Sequence, residues 1–200
     1  MFTGIIQDIG RVTSVTSGGS GHVVTVATRL ARELHIGDSI AVDGVCLTVT
    51  RREADGFSAD VSPTTARLTT FDNIAPGRRV NLELPLRPTD RLGGHWVTGH
   101  VDAVGVVAET EDEGDVRHLS IRVPPPGWSY LVERGSVAVS GVSLTIVSVA
   151  DDGFRVTLIP HTLSVTTLGD LVPGARVNLE YDIVGKYVLR LAEVWRNRTG

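Results

Sequence analysis

Along most of the chain, apolar and polar residues alternate with a period of two. The first half contains "HVVTVAT", "SIAVDGVCLTVT", "GFSADV" and "RVNLEL", and the second contains "HLSIRV", "VAVSGVSLTIV", "FRVTLI" and "RVNLEYDI". Such runs, bounded by Gly, Pro and Asp, predict half-buried β-strands. Helical spacing is scarce. "TARLTTFDNI" and "TLSVTTLGDL" each hold one or two turns after a proline. Only "VGKYVLRLAEVWR", from Val184 to Arg196, predicts a longer helix, with Val184, Tyr187, Val188, Leu191 and Trp195 on one stripe.

The pattern is written twice. "GIIQDIGRV" from Gly4 aligns with "GHVDAVGVV" from Gly99, an offset of 95. "SIAVDGVCLTV" from Ser39 aligns with "SVAVSGVSLTI" from Ser136, and "PGRRVNLE" from Pro76 with "PGARVNLE" from Pro173, both at an offset of 97. A repeat over nearly the whole chain implies two copies of one unit. Each copy suits a small antiparallel barrel, since closure leaves no sheet edge exposed. The pattern predicts an all-β fold: two tandem antiparallel barrels of five or six short strands each, residues 1–94 and 95–183, followed by a C-terminal α-helix and tail, 184–200. The joint lies near "LRPTDRLGGH". The helical stripe has no counterpart after the first copy and must be buried either on the chain's own barrels or on another subunit, the second being the expectation.

Composition narrows the partners. The 200 residues carry a net charge of -4, and Lys186 is the only lysine, so nothing favours nucleic acid. No window resembles a membrane span and the N-terminus "MFTGII" does not resemble a targeting segment, so a cytoplasmic protein without membrane partners is expected. The single cysteine, Cys46, rules out an internal disulfide and fits a reducing compartment. "GGHWVTGH" lacks the Lys-Ser/Thr of a phosphate loop, and its two histidines have no carboxylates at metal-ligand spacing, so no metal site is predicted.

Two copies of one barrel imply two related pockets, and the differences between them mark divergent roles. Ile5 becomes His100, Cys46 becomes Ser143, Thr64 becomes His161 and Pro85 becomes Asp182. Three of these four changes add a titratable group to the second copy, as a proton-moving site requires. Each residue also has a plain structural reading. Cys46 suits a buried strand position, Thr48 and Thr145 suit sheets, His100 suits a satisfied structural histidine, and Asp182 suits a helix cap. His95 and His161 fall in or beside loops, where solvent exposure is expected.

Taken together, "MFTGII", "GVCLTV", "RLGGHWVTGHVD", "GVSLTI", "LIPHTLSVTTLGDL" and "RVNLEYD" resemble the riboflavin synthases of the alpha-chain type, which carry two lumazine-binding repeats. The resemblance implies an all-β fold of two tandem six-stranded antiparallel Greek-key barrels plus a C-terminal α-helix that builds a homotrimer, with sites between the N-terminal barrel of one subunit and the C-terminal barrel of a neighbour. It implies dismutation of two 6,7-dimethyl-8-ribityllumazine molecules to riboflavin and 5-amino-6-ribitylaminouracil by four-carbon transfer, with no metal or organic cofactor.

Carried over position by position, the family pocket falls in the first barrel on Gly4, Ile5, Ile6, Cys46, Leu47, Thr48, Asp60, Val61, Ser62, Pro63, Thr64 and Thr65. In the second it falls on Gly99, His100, Val101, Arg134, Ser143, Leu144, Thr145, Thr157, Leu158, Ile159, Pro160, His161 and Thr162. The resemblance assigns His100, with Phe2 and Thr3, to deprotonating the C7 methyl group, and Cys46, Ser143 and Asp182 to holding or supplying the group that adds to the partner lumazine. Asp43, Thr64, Trp96, Arg134 and Ser140 depart from the family's usual residues. They leave open a divergent paralogue that binds lumazine or flavin for other chemistry, or without catalysis.

Overall fold

A computed structural model of the chain describes residues 1–18 and 21–199. Strands β1 (Asp8–Gly18), β2 (Gly21–Ala27), β3 (Ser39–Val42), β4 (Val45–Arg52), β5 (Gly56–Val61) and β6 (Arg79–Glu83) form one closed antiparallel barrel in the order β1-β2-β5-β4-β3-β6. Strands β7 (Ala103–Glu113), β8 (Val116–Arg122), β9 (Ser136–Val139), β10 (Val142–Ala150), β11 (Gly153–Leu158) and β12 (Arg176–Tyr181) form a second barrel with the same circular order. The two predicted short helices are α1 (Pro63–Leu68) and α2 (Pro160–Val165), each beginning with its proline and followed by a 3-10 turn. The terminal helix is α3 (Ile183–Thr199).

The repeat extends to irregularities. Pairing registers shift between Val12 and Ser14 and between Val49 and Arg51 in the first barrel. They shift again between Val107 and Glu109 and between Ile146 and Ser148 in the second. Each extra residue increases local twist, which lets six short strands curl far enough to close. "SIAVDGVCLTVT" and "VAVSGVSLTIV", read from the sequence as continuous alternating runs, are each two strands joined by a two-residue turn. Asp43-Gly44 and Ser140-Gly141 all have positive φ, between 44° and 81°. This is the mirror-image turn that matches strand twist, and the Asp-Gly pair is its sequence signal.

Alternation sends Ile40, Phe57 and Leu82 into the first core, and the equivalent Val137, Phe154 and Leu179 into the second. Between the cores runs a quasi-symmetric polar seam. Asn81 donates its side-chain N–H to Ser140 O and accepts from Thr167 N, while Asn178 donates to Asp43 O and accepts from Thr70 N. Ion pairs Arg79–Asp170 and Arg176–Asp72 bridge the same boundary. The hairpin turns meet there so closely that a Cβ on Gly44 would lie 2.7 Å from Gly141 N, and one on Gly141 2.7 Å from Gly44 N.

The seam breaks its symmetry at the hairpin turns. Asp43 is buried, accepts Asn81 N–H at 2.8 Å and pairs with Arg78 at 2.8 Å, whereas the positions equivalent to Asp43 and Arg78 are Ser140 and Ala175. Arg78 also donates to Thr70 and lies over the Phe71 ring. Asp43 therefore ties down the barrel boundary, and its departure from the family pattern is matched by a partner.

Candidate active site

Position on a strand decides which residues of the repeated phrase can meet a ligand. On β4, Cys46 is half-buried and Thr48 exposed while Leu47 between them points inward; on β10, Ser143, Thr145 and Leu144 repeat this. Leu47, Val61, Leu144 and Leu158 all belong to the barrel cores. Among these predicted pocket residues, then, only the backbone is placed to face a ligand, because strand side chains alternate.

The largest difference from the sequence reading concerns the segments preceding each barrel. The resemblance sets residues 4–6 in the first barrel's pocket and residues 99–101 in the second's, and joins Phe2 and Thr3 to His100. The structure exchanges the two tripeptides. Gly4 O accepts the backbone N–H of Ser143 at 2.8 Å, and Gly99 O accepts that of Cys46 at 2.9 Å. The segments pair with each other through Phe2 and Val97. Phe2 is buried beside Ala41, Val97, Ala138 and Cys46. Glycine is required at both crossings, since φ is positive and an added Cβ would lie 2.6 Å from Ser143 Cβ at Gly4 and 2.5 Å from Cys46 Cβ at Gly99.

Two half-sites result. At the Ser143 half-site, Thr3 is buried, Ile5 is exposed and Ile6 half-buried. A groove of about 360 Å³, lined by residues 6–9, Arg29, His161 and Val165, begins at Ile6. His161 is exposed there, as expected. His95, by contrast, is not solvated; it is only 8% exposed. Its backbone N–H donates to Thr3 O, and its Nδ1 lies 2.7 Å from Ser143 Oγ. Pairing with the N-terminal segment draws this loop histidine inward, which local sequence does not encode. Burial lowers the imidazole pKa, and the nearby Asp182 carboxylate partly opposes the shift. His95 Nε2 has no hydrogen-bond partner among the described residues. Asp182 also accepts from Val184 N, so it caps α3 as well as facing His95.

The Cys46 half-site is plainer. His100 is exposed and follows Gly99, so it flanks Cys46 rather than Ser143. Among the described residues no imidazole hydrogen-bonds Cys46. Asp60, Ser62, Pro63, Thr64 and Thr65 continue from β5 into α1, with Ser62 Oγ capping Thr65 N; Thr64 and Pro63 are exposed. Thr157, Ile159, Pro160 and Thr162 form the corresponding edge of the second barrel. Thr157 Oγ1 is hydrogen-bonded to His118 at 2.8 Å. Val101 is half-buried against the first core. Arg134 is exposed with φ of 65°, where the first copy has Gly37, and Trp96 is 47% exposed beside His95.

The sequence matches the lumazine binding domain family twice, over residues 3–85 and 98–182. A riboflavin synthase of Photobacterium phosphoreum is 45% identical over 193 residues, covering 96% of this chain and 88% of the relative. One of Actinobacillus pleuropneumoniae is 42% identical, covering 94% and 88%. The crystal structure of LumP complexed with 6,7-dimethyl-8-(1'-D-ribityl) lumazine superimposes with a TM-score of 0.82 at 26% identity, covering 90% of this chain and 98% of that one. Both repeats match the lumazine binding domain and the relatives aligned over nearly the whole chain are riboflavin synthases, so the chain belongs to the riboflavin synthase family of tandem lumazine-binding domains.

Proposed function

We propose that the protein is a riboflavin synthase that converts two molecules of 6,7-dimethyl-8-ribityllumazine into riboflavin and 5-amino-6-ribitylaminouracil. The observation that carries this reading is the pairing of His95 Nδ1 with Ser143 Oγ at 2.7 Å in one of two repeat-related half-sites. A chain that only bound lumazine would not need a buried, unprotonated imidazole against a hydroxyl.

With its pKa lowered by burial, His95 is neutral near pH 7 and accepts the Ser143 hydroxyl proton as Ser143 Oγ adds to the electron-poor ring of the bound lumazine, whose C=N electron pair moves onto the ring nitrogen; the charge of Asp182 stabilises the imidazolium that forms. Ser143 is half-buried and so faces the ligand, with His95 behind it. The Cys46 half-site lacks this pair among the described residues, so we assign the proton-moving role to the Ser143 half-site and the second lumazine to the Cys46 half-site beside His100. The protein's chemistry then resides in orienting two copies of one substrate.

A homotrimer joining the N-terminal barrel of one subunit to the C-terminal barrel of a neighbour is part of the proposal. It is supported by the α3 stripe, where Val184, Tyr187, Val188 and Leu191 are each 59–72% exposed on their own chain. Deleting the chain from Val184 should give monomers by light scattering, and an unchanged mass would reject the helix's role. A free thiol at Cys46 suits the reducing cytoplasm where such a protein would work.

The deciding experiment supplies the lumazine alone, without oxygen, and quantifies products by chromatography. One riboflavin and one pyrimidine per two lumazines consumed is expected. Tight binding without riboflavin would overturn the synthase and leave a binding protein.

A further inference from the structure

Each exchanged segment is held by one carboxylate, and the two carboxylates are repeat equivalents. Glu83, the last residue of β6, is 3% exposed. It accepts Thr3 N–H at 2.7 Å and the Thr3 hydroxyl at 2.8 Å on Oε1, and Gly4 N–H at 2.9 Å on Oε2. Glu180, near the end of β12, is equally buried and does the same for Thr98 N–H (2.6 Å), the Thr98 hydroxyl (2.7 Å) and Gly99 N–H (2.9 Å). The far side of each glycine peptide belongs to the other barrel: Gly4 O receives Ser143 N–H, and Gly99 O receives Cys46 N–H. Two continuous chains of contacts follow, Glu83 to Thr3-Gly4 to Ser143 and Glu180 to Thr98-Gly99 to Cys46.

We propose that Glu83 and Glu180 are positioning residues for the dismutation, acting crosswise, with Glu83 of the first barrel setting the Ser143 half-site of the second and Glu180 setting the Cys46 half-site of the first. This rests on the riboflavin synthase reading above. A buried carboxylate costs folding free energy unless its oxygens are filled. Here three charge-assisted hydrogen bonds converge on each from one turn of chain, fixing that turn more tightly than strand pairing alone. Neither glycine can move toward its partner, because Cβ of Ser143 and of Cys46 already lie against them. Any loosening at the carboxylate therefore shifts the carbonyl that orients the pocket residue, and misplacement by an ångström costs about 10²-fold in rate.

Glu83→Gln and Glu180→Gln test this. The amide keeps one acceptor and turns an N–H₂ toward the glycine N–H, so the grip fails without a change in size. Dismutation by the full-length variants is measured alone and combined with Ser143→Ala or Cys46→Ala. E83Q should lower kcat about 10-fold or more with little change in KM; its effect should nearly vanish in the S143A background and persist in full with C46A. E180Q should behave conversely. Asp at either position, keeping both oxygens but one methylene shorter, should recover part of the loss, and it supplies the same cycle if a Gln variant does not fold. An unchanged kcat, or losses that multiply equally in both backgrounds, would overturn the crosswise role and leave these residues as general stabilisers. A wild-type chain that makes no riboflavin would sink the parent reading instead. Fluorescence titration with riboflavin would then decide the positioning role, with each Gln variant expected to weaken one of two sites and equal weakening of both overturning it.

Discussion

The two barrels share strand order, bulges, seam asparagines and segment-gripping glutamates, yet the two half-sites they present are chemically unlike. Ser143 has a buried imidazole against its hydroxyl, whereas among the described residues no imidazole is hydrogen-bonded to Cys46, whose backbone N–H meets the Gly99 carbonyl. At the seam the inequality reverses: the first barrel carries the charged pair Asp43–Arg78, and the second has serine and alanine in the same places. Duplication copied the framework that sets distances, while the differences that make the half-sites chemically unlike lie in side chains that the framework holds at its boundary. A rigid scaffold makes this possible, since a substitution at a half-buried boundary position alters chemistry without repacking a core.

The contrast between half-sites is the first thing to break. Ser143→Ala should lower kcat about 10³-fold and His95→Asn about 10²-fold, within the range for a positioned acid–base pair, against about 10-fold for Cys46→Ala. Steady-state kinetics on the lumazine would check this, and equal losses in S143A and C46A would erase the functional difference between barrels. Losses in affinity rather than kcat would make them binding residues.

The seam offers a second, smaller effect. Asp43→Ser should cost about 3 kcal/mol in urea unfolding, because it strands Arg78 and a buried N–H. Adding Arg78→Ala, which completes the second barrel's arrangement, should restore part of it. A single variant within about 0.5 kcal/mol of wild type would show that the pair contributes little.

The smallest effect is a slope. His95 has its pKa lowered in the fold, so the unfolded chain binds more protons in that range. The stability associated with His95 is complete above the ordinary histidine value and is lost as pH falls through the folded one. Burial of Glu83 raises its carboxyl, and that group works oppositely: the stability it contributes is full at low pH and declines as pH rises through the raised value. Urea midpoints followed from neutral to mildly acidic pH should therefore fall less steeply in His95→Asn than in wild type, and parallel slopes would mean the imidazole is not depressed.

The period-two pattern and the internal repeat determine two closed barrels, because alternation decides which face of every strand is apolar and a repeated sequence must fold twice the same way. Asp43-Gly44 determines its turn from two residues alone. The amphipathic stripe likewise marks α3, and the aligned differences at positions 46, 143 and 182 were legible as departures between copies. The exchange of residues 2–6 and 97–101 was not, nor was the burial of His95. Both depend on the carbonyls of Gly4 and Gly99 meeting the opposite barrel at Ser143 and Cys46, a relation between residues far apart in the chain that no local period records. The sole trace in sequence was the recurrence of Thr-Gly and of Glu at equivalent places, whose meaning appears only when carboxylate and glycine meet across the barrel boundary. Sequence determined what each barrel is, and tertiary structure decided which barrel the segments 2–6 and 97–101 each meet, because hydrogen-bond partners are chosen by distance in space.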